Sequence, residues 1–134
     1  MTSNYSLTYL RNVLKDVRTI AIIGASSDPN RDSNKVMKYL IGYGFEVFPV
    51  NPKETNILGR KCYANLSLIK SKINMVDVFR AEEFIFDITK EAISIDAKIL
   101  WTQEGIIEQK AASLGRSAGL IVIMNECPKK VLEA

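Results

Sequence analysis

The sequence predicts an α/β fold: a doubly wound parallel sheet of five strands with helices on both faces, in three layers. The 134 residues contain five short apolar runs. The runs are separated by turn-forming residues and by segments in which apolar residues recur with helical spacing. Strands and helices that alternate in this way form parallel sheets through right-handed crossovers. For these strands we predict the order 3-2-1-4-5, in which strands 1 and 4 flank the ligand crevice.

The first half of the chain opens with an amphipathic helix over about 6–17, for which Ser6 can serve as N-cap. The run 19–23 is apolar throughout, as expected of a strand that is covered on both faces. A helix over about 33–42 follows, and Gly42 or Gly44 can end it. The second strand is predicted over 45–50, and a polar, turn-rich stretch follows it.

The second half repeats the alternation, with a short helix over 65–70 and strands over 74–79, 97–101 and 120–124. Two longer helices separate these strands, and the first begins near Glu82. We expect the two helices to bury Phe84, Ile85, Ile88, Ala92 and Ile95 in the first and Ile107, Ala111, Leu114, Gly115 and Ala118 in the second. Only a tail is expected after the last strand.

Length and composition narrow the class of protein. The 134 residues suffice for one domain over 1–134, and the apolar fraction of 47% is ordinary for a globular protein. No apolar run reaches the roughly 18 residues of a membrane span. The first residues also lack the basic and apolar regions of a signal peptide. We therefore expect a cytoplasmic protein that binds no membrane.

Charge and cysteine usage exclude further classes. The net charge is +3 and the basic residues are spread along the chain, so we expect no nucleic-acid partner. Cys62 and Cys127 form no CxxC pair, which is typical of free thiols in a reducing compartment. A chain with two cysteines and no histidine lacks the usual zinc ligands.

The end of strand 1 carries the strongest sign of a binding site. Gly24 permits a positive φ and close approach of a ligand, and the amides of Ala25 and Ser26 can face a phosphate. Arg31 and Lys35 lie near the start of the next helix, whose dipole also favours an anion. The dinucleotide pattern GxGxxG is incomplete, which favours a different nucleotide or pose. An ordinary strand-to-helix turn is the alternative.

Polar side chains also follow strands 2 and 3. Asn51 stands where NAD-binding folds commonly carry an acidic residue, and Lys53 follows it, which suits a ligand with a phosphate on its ribose. Phe79 can stack on adenine and Arg80 can meet a phosphate. We expect Asp77 to accept hydrogen bonds from the backbone or from Arg80. A plain Asn-Pro turn and a Phe79 side chain in the core are the alternatives.

Strands 4 and 5 end in polar segments as well. Gly105 follows strand 4 and opens a helix, a second place where backbone amides can meet an anion or a carbonyl. Glu104 favours the same helix start by its charge, and Cys127 follows strand 5. Polar or glycine-containing clusters at all five strand ends indicate one ligand crevice.

In this order the segments resemble the small stand-alone coenzyme A-binding proteins, which are Rossmann-like domains similar to the CoA-binding part of the succinyl-CoA synthetase α subunit. The resemblance covers roughly residues 15–128. The Gly-Ala-Ser turn alone is a weak signal, whereas the set with Asp-Val-Phe-Arg and a late Asn-x-Cys is specific. The matching stretches are 23–31 with Ser33, 50–53, 58–59, 76–80, 100–105 and 122–127.

The resemblance implies that the chain binds coenzyme A or an acyl-CoA, and it implies a role for each matching position. Gly24, Ala25 and Ser26 would contact the phosphates, and Arg31 and Ser33 would close over them. The remaining implied contacts are Asn51, Pro52 and Lys53 at the adenosine end, with Lys53 near the 3′-phosphate; Phe79 and Arg80 beside the nucleotide; and Gln103, Gly105 and Ile106 along the pantetheine path.

The residues favour binding over catalysis. The synthetase relays phosphate through a histidine, and this chain has none. No Ser-His or Cys-His pair can form, and Asp77, Glu104 and Glu126 make no convincing acid–base pair. We predict a non-catalytic binding or sensing module. An NAD(P)-binding oxidoreductase or redox sensor on the same fold is the first alternative, and a detached synthetase subunit is the second.

Cys127 raises a separate hypothesis. It follows strand 5 within the Asn-x-Cys stretch, and Lys129 lies two residues further along the chain. A mixed disulfide between Cys127 and the thiol of CoA, formed under oxidising conditions, is therefore one prediction, and a packed thiol is the alternative.

Overall fold

The structure, a computed structural model, describes residues 5–134. Helices and strands alternate along these residues, and a small antiparallel hairpin and a 3-10 turn interrupt the alternation. The elements are α1 (Leu7–Leu14), β1 (Thr19–Ile23), α2 (Asp32–Tyr43), β2 (Glu46–Val50), β3 (Asn56–Ile57), β4 (Arg60–Lys61), the 3-10 turn Leu66–Leu68, β5 (Met75–Val78), α3 (Glu82–Ser94), β6 (Ile99–Thr102), α4 (Gln109–Ser117), β7 (Ile121–Ile123) and α5 (Pro128–Glu133).

The main sheet confirms the predicted α/β class. It has five parallel strands in the order β2-β1-β5-β6-β7. The predicted order 3-2-1-4-5 is wrong, because the third long strand, β5, pairs with β1 and not with β2. Counted along the chain, the observed order of the long strands is 2-1-3-4-5. The reversal point therefore lies between β1 and β5.

The segment between β2 and β5 explains this order. Leu66, Ile69 and Ile73 pack with Ala21 and Val76 on the face of the sheet opposite α2. A right-handed crossover on that face carries the chain back past β1 instead of outward beyond β2. The sequence shows apolar residues in this segment but does not show which face they cover.

Alternate residues of the central strand supply the two halves of the core. Ile20 and Ile22 pack on one side with α1, α2 and α5, whereas Ala21 and Ile23 pack on the other side with α3 and α4. Both faces of β1 are thus covered, which is why its sequence is apolar throughout.

Several expectations about helices are wrong, and one of them is the burial of Ala118, which follows the end of α4 and is exposed. Residues after β7 form α5, with Pro128 at its start and Val131 buried, where only a tail was expected. Phe84 is 41% exposed, because Ile85 and its neighbours one and two turns on already form the buried stripe of α3. Ile107 precedes α4 and is also exposed.

Some features bear on the class of protein. No helix within residues 5–134 is long and apolar enough to cross a membrane. In the same part of the chain, no three acidic or cysteine side chains gather in a way that would hold a metal ion. Cys62 and Cys127 are both unpaired and buried.

Candidate functional site

A cleft of about 680 Å³ opens at the carboxyl ends of β1, β2 and β5. This is the edge at which parallel α/β sheets bind ligands, next to the point where the strand order reverses. Most of the predicted site residues line it together. They are Gly24, Ala25, Ser26, Arg31, Asn51, Pro52, Lys53, Phe79 and Arg80.

Only glycine fits at position 24, because the turn after β1 approaches the turn after β5 closely there. Its φ is +82°, and a Cβ atom there would lie 2.6 Å from the carbonyl oxygen of Phe79. The amides of Gly24 and Ala25 donate to the carbonyl oxygen of Val50, at 3.1 and 3.3 Å. These two bonds hold the start of the loop against the end of β2. The amides of Gly24 and Ala25 are therefore already paired with a backbone acceptor.

The rest of the loop is held by its own polar groups. The side-chain amide of Asn34 donates to the carbonyl oxygen of Ser26 at 2.9 Å. The amide of Ser27 donates to Glu54 at 2.8 Å, and hydrogen bonding with Ser27 lowers the pKa of that carboxyl. These bonds fix the loop between β1 and α2 before any ligand arrives.

Free donors remain at the start of α2. Its N-cap residue, Arg31, makes no side-chain cap, and within residues 5–134 the amides of Asp32 and Ser33 have no acceptor. Uncapped amides at a helix N-terminus attract anions, and the helix dipole adds to the attraction. Ser33 is buried and does not line the cleft, unlike the other residues predicted for this loop.

Asn51 organises the second turn. Its side-chain amide donates to the carbonyl oxygen of Ala25 at 2.8 Å, and its oxygen accepts from the amide of Lys53 at 2.8 Å. The side chain therefore ties the ends of β1 and β2 together and positions Lys53. In the described part of the chain, the side chains of Lys53 and Arg31 make no ion pair or hydrogen bond.

Two aromatic residues, Phe79 and Phe84, line the cleft, and Phe84 is the more exposed of them. Phe79 packs against the core cluster on the α2 side of the sheet. The guanidinium carbon of Arg80 lies 4.1 Å from the centre of the Phe84 ring, a cation–π contact. Arg80 thereby lies along the wall of the cleft.

Helix α3 supplies a wall that sequence reasoning missed. Phe84, Asp87, Ile88 and Glu91 all line the cleft. Their spacing of three, one and three residues places them on one helix face, and this spacing was the available signal. Partial burial and the negative charge of Asp87 raise the pKa of Glu91.

The predicted residues after β6 lie outside the cleft. The amide of Gly105 donates to Oδ1 of Asn125 at 2.6 Å, and the hydroxyl of Thr102 donates to the carbonyl oxygen of Ile106 at 2.6 Å. Gly105 also does not start a helix, since α4 begins at Gln109. The amide that was expected to meet an anion already has an acceptor.

Two buried polar side chains lie behind the carboxyl edge. Both carboxyl oxygens of Asp77 are buried without a hydrogen-bond partner among the described residues, as is Oε1 of Gln103. The expectation that Asp77 accepts hydrogen bonds from the backbone or Arg80 is wrong. Burial raises the pKa of Asp77 well above its ordinary value, because desolvation disfavours the charged carboxylate.

Cys127 is the N-cap residue of α5 and is only 6% exposed. It packs in the core cluster on the α2 side and does not line the cleft. A mixed disulfide with CoA stays a prediction, and it requires the thiol to become accessible.

A larger groove, of about 800 Å³, lies at the opposite edge of the sheet, beside Arg18, Phe45 and Glu46. It adjoins the amino ends of β1 and β2, where open parallel sheets do not bind ligands. We therefore assign the functional site to the smaller cleft.

Comparison with known proteins identifies the family of the chain. The family model described as a CoA binding domain matches residues 18–133. The protein YneT of Bacillus subtilis is 33% identical over 126 residues, which are 94% of this chain and 93% of that protein. A solved structure of a hypothetical protein from Pyrococcus horikoshii superposes with a TM-score of 0.93 and 38% identity, covering 97% of this chain and 92% of that one.

The chain also resembles part of a larger enzyme. The α subunit of acetate–CoA ligase (ADP-forming) II from Pyrococcus furiosus is 35% identical over 69 residues. That match covers 51% of this chain and only 15% of the ligase subunit. With its parallel sheet, its carboxyl-edge cleft and a family match across nearly all of its length, the chain belongs to the CoA-binding domain family.

Proposed function

We propose that the chain binds coenzyme A or an acyl-CoA at the carboxyl ends of its parallel strands, as a non-catalytic binding or sensing module of the cytoplasm. The observation that carries the proposal is a pair of cations without internal partners, Arg31 and Lys53, at the cleft of a CoA-binding domain. A CoA molecule carries a pyrophosphate and a 3′-phosphate, and two such cations beside free helix amides suit those groups.

The residues that line the cleft give the ligand a defined orientation. Its pyrophosphate meets Ser26 and the first amides of α2, with Arg31 closing over it. Its adenosine end follows Asn51, Pro52 and Lys53, and the 3′-phosphate is next to Lys53. Gly24 and Ala25 shape the turn beneath the phosphates, and Phe79 and Arg80 flank the nucleotide.

The pantetheine arm leaves the cleft towards β6, along Gln103, Gly105 and Ile106. Gln103 has a buried side-chain oxygen without a partner. The amide groups of pantetheine are donors that can satisfy an oxygen of this kind. None of these three residues is charged, in keeping with the neutral arm of CoA.

Thermal unfolding in the presence of CoA, acetyl-CoA, NAD and NADP tests the proposal. A ligand at roughly 100 times its dissociation constant adds about 2.7 kcal/mol to the free energy of unfolding, which raises the Tm by several degrees. Mass spectrometry of the purified protein first establishes that no ligand is carried over. A shift with CoA and none with NAD supports the proposal. A shift with NAD or NADP alone contradicts it and favours an oxidoreductase or redox sensor.

A further inference from the structure

The cleft has two chemically different walls. The turns after β1 and β2 contribute the cations Arg31 and Lys53, whereas α3 contributes an apolar and acidic surface. An anionic group is attracted to the first wall, whereas on the second wall Arg80, stacked on Phe84, is the cation beside the carboxylates of Asp87 and Glu91. The ligand must therefore be anionic at one end and neutral, with hydrogen-bond donors, at the other.

Glu91 is the acceptor on the second wall. Its carboxylate makes no hydrogen bond or ion pair within residues 5–134, whereas the neighbouring Asp87 lies 3.5 Å from Lys90. Partial burial and Asp87 raise the pKa of Glu91, and no cation of the cleft offsets them. A carboxylate in this position is best stabilised by an N–H donor that the ligand brings.

Phe84 and Ile88 flank that acceptor with apolar surface. Phe84 is 41% exposed, and its ring already has Arg80 stacked against it. A flat ring covers such a surface well, because stacking on an aromatic side chain adds to apolar burial. The second wall thus fits a heteroaromatic ring that carries an amine at its edge.

We propose that Glu91 selects the base of the bound nucleotide: its carboxylate accepts a hydrogen bond from the exocyclic amine of adenine while the base packs against Phe84 and Ile88. This inference rests on the proposed function, since CoA is what brings adenine to the cleft. A base with a carbonyl oxygen in place of the amine loses this hydrogen bond and presents an acceptor to the carboxylate, so it binds less tightly. Glu91 is thus a specificity-determining residue of the site.

The test compares CoA with deaminated CoA, in which a carbonyl oxygen replaces the amine of the base. Calorimetric titration of the wild-type protein should show at least about tenfold tighter binding of CoA, because the exchange removes the hydrogen bond to Glu91 and sets a carbonyl oxygen against its exposed carboxylate. In Glu91→Gln the preference should fall to about threefold or less, since a glutamine amide can accept from the amine or donate to the carbonyl.

Glu83→Gln is the matched control, because Glu83 lies on α3, is exposed and does not line the cleft. It should keep the wild-type preference, and both variants should keep the wild-type Tm without ligand. If Glu91→Gln retains the full preference for CoA, or if the wild-type protein binds both ligands equally, the inference is wrong and the proposed function stands. If the wild-type protein binds neither ligand, both are wrong.

Discussion

The two halves of the carboxyl edge use their polar groups in opposite ways. Beside β1, β2 and β5, the backbone closes on itself and leaves Arg31 and Lys53 without a partner in the described chain. Beside β6 and β7, the polar groups pair with one another, as Gly105 does with Asn125. The charged part of a ligand therefore belongs to the first half, and only a neutral arm suits the second.

The first half breaks most completely at Gly24. In Gly24→Ala the new Cβ meets the carbonyl oxygen of Phe79 at 2.6 Å with φ at +82°. We expect the free energy of unfolding to fall by about 3 kcal/mol or more, since left-handed strain costs roughly 1–2 kcal/mol and the backbone clash adds to it. Urea unfolding measures the loss.

Gly59 is the control for that variant, with φ at +76° and no atom within 4 Å of the added Cβ. Gly59→Ala should lose only the strain of about 1–2 kcal/mol. Equal losses in the two variants would show that the close approach of the turns after β1 and β5 does not matter.

The second half breaks at Asn125, whose φ is +64° and whose side chain accepts from Gly105 at 2.6 Å. We expect Asn125→Ala to lose about 2 kcal/mol of stability, from the lost bond and the strained backbone. Asn125→Gly relieves the strain and should lose less. Neither should change the affinity for 3′,5′-ADP, the nucleotide part of CoA, and a large change would contradict the division into halves.

Asp77 lies on β5, where the two halves meet, and it should make the stability of the protein depend on pH. Its raised pKa means that the folded state holds a proton that the unfolded state releases above about pH 4. The free energy of unfolding therefore falls as the pH rises from there to the folded pKa, by about 1.4 kcal/mol per pH unit. In Asp77→Asn this fall should disappear. Urea unfolding at a series of pH values measures it, and an equal dependence of the free energy of unfolding on pH in the wild-type protein and the variant would contradict a raised pKa for Asp77.

A substitution of Lys53 tests the half of the edge beside β1, β2 and β5 at the level of one ligand phosphate. We expect Lys53→Gln to weaken CoA binding about tenfold, because it removes a charge-assisted contact to the 3′-phosphate. Dephospho-CoA lacks that phosphate, so its affinity should not change. Lys70→Gln, exposed and away from the cleft, should leave both affinities unaltered. Equal weakening for both ligands would place Lys53 away from the 3′-phosphate.

Local patterns predict the elements of this fold better than their arrangement. The strand 19–23 is evident because both its faces are covered, and the helix after it ends at Gly44, as glycine chemistry suggests. The strand order was wrong because it depends on which face Leu66 and Ile73 cover. That choice is made by packing across the sheet, and spacing along the chain carries no record of it.

The candidate site divides in the same way. Residues that directly follow strands, such as Ser26 and Lys53, could be predicted because parallel strands bring their ends together. Glu91 lies two turns into α3, and its spacing from Phe84 and Ile88 indicates a shared helix face but not that this face borders the cleft. Gln103 and Gly105 follow a strand but lie beyond the cleft, where neighbouring loops supply their surroundings.

The most direct test records amide NMR shifts of the labelled protein as 3′,5′-ADP and then CoA are added. With 3′,5′-ADP we expect the largest changes at residues 24–33, 51–53 and 84–91, and little change at 103–106. CoA should extend the changes to 103–106 through its pantetheine arm. Largest changes with 3′,5′-ADP at 103–106, or at the opposite edge near Arg18 and Phe45, would contradict the assignment of the nucleotide to the cleft.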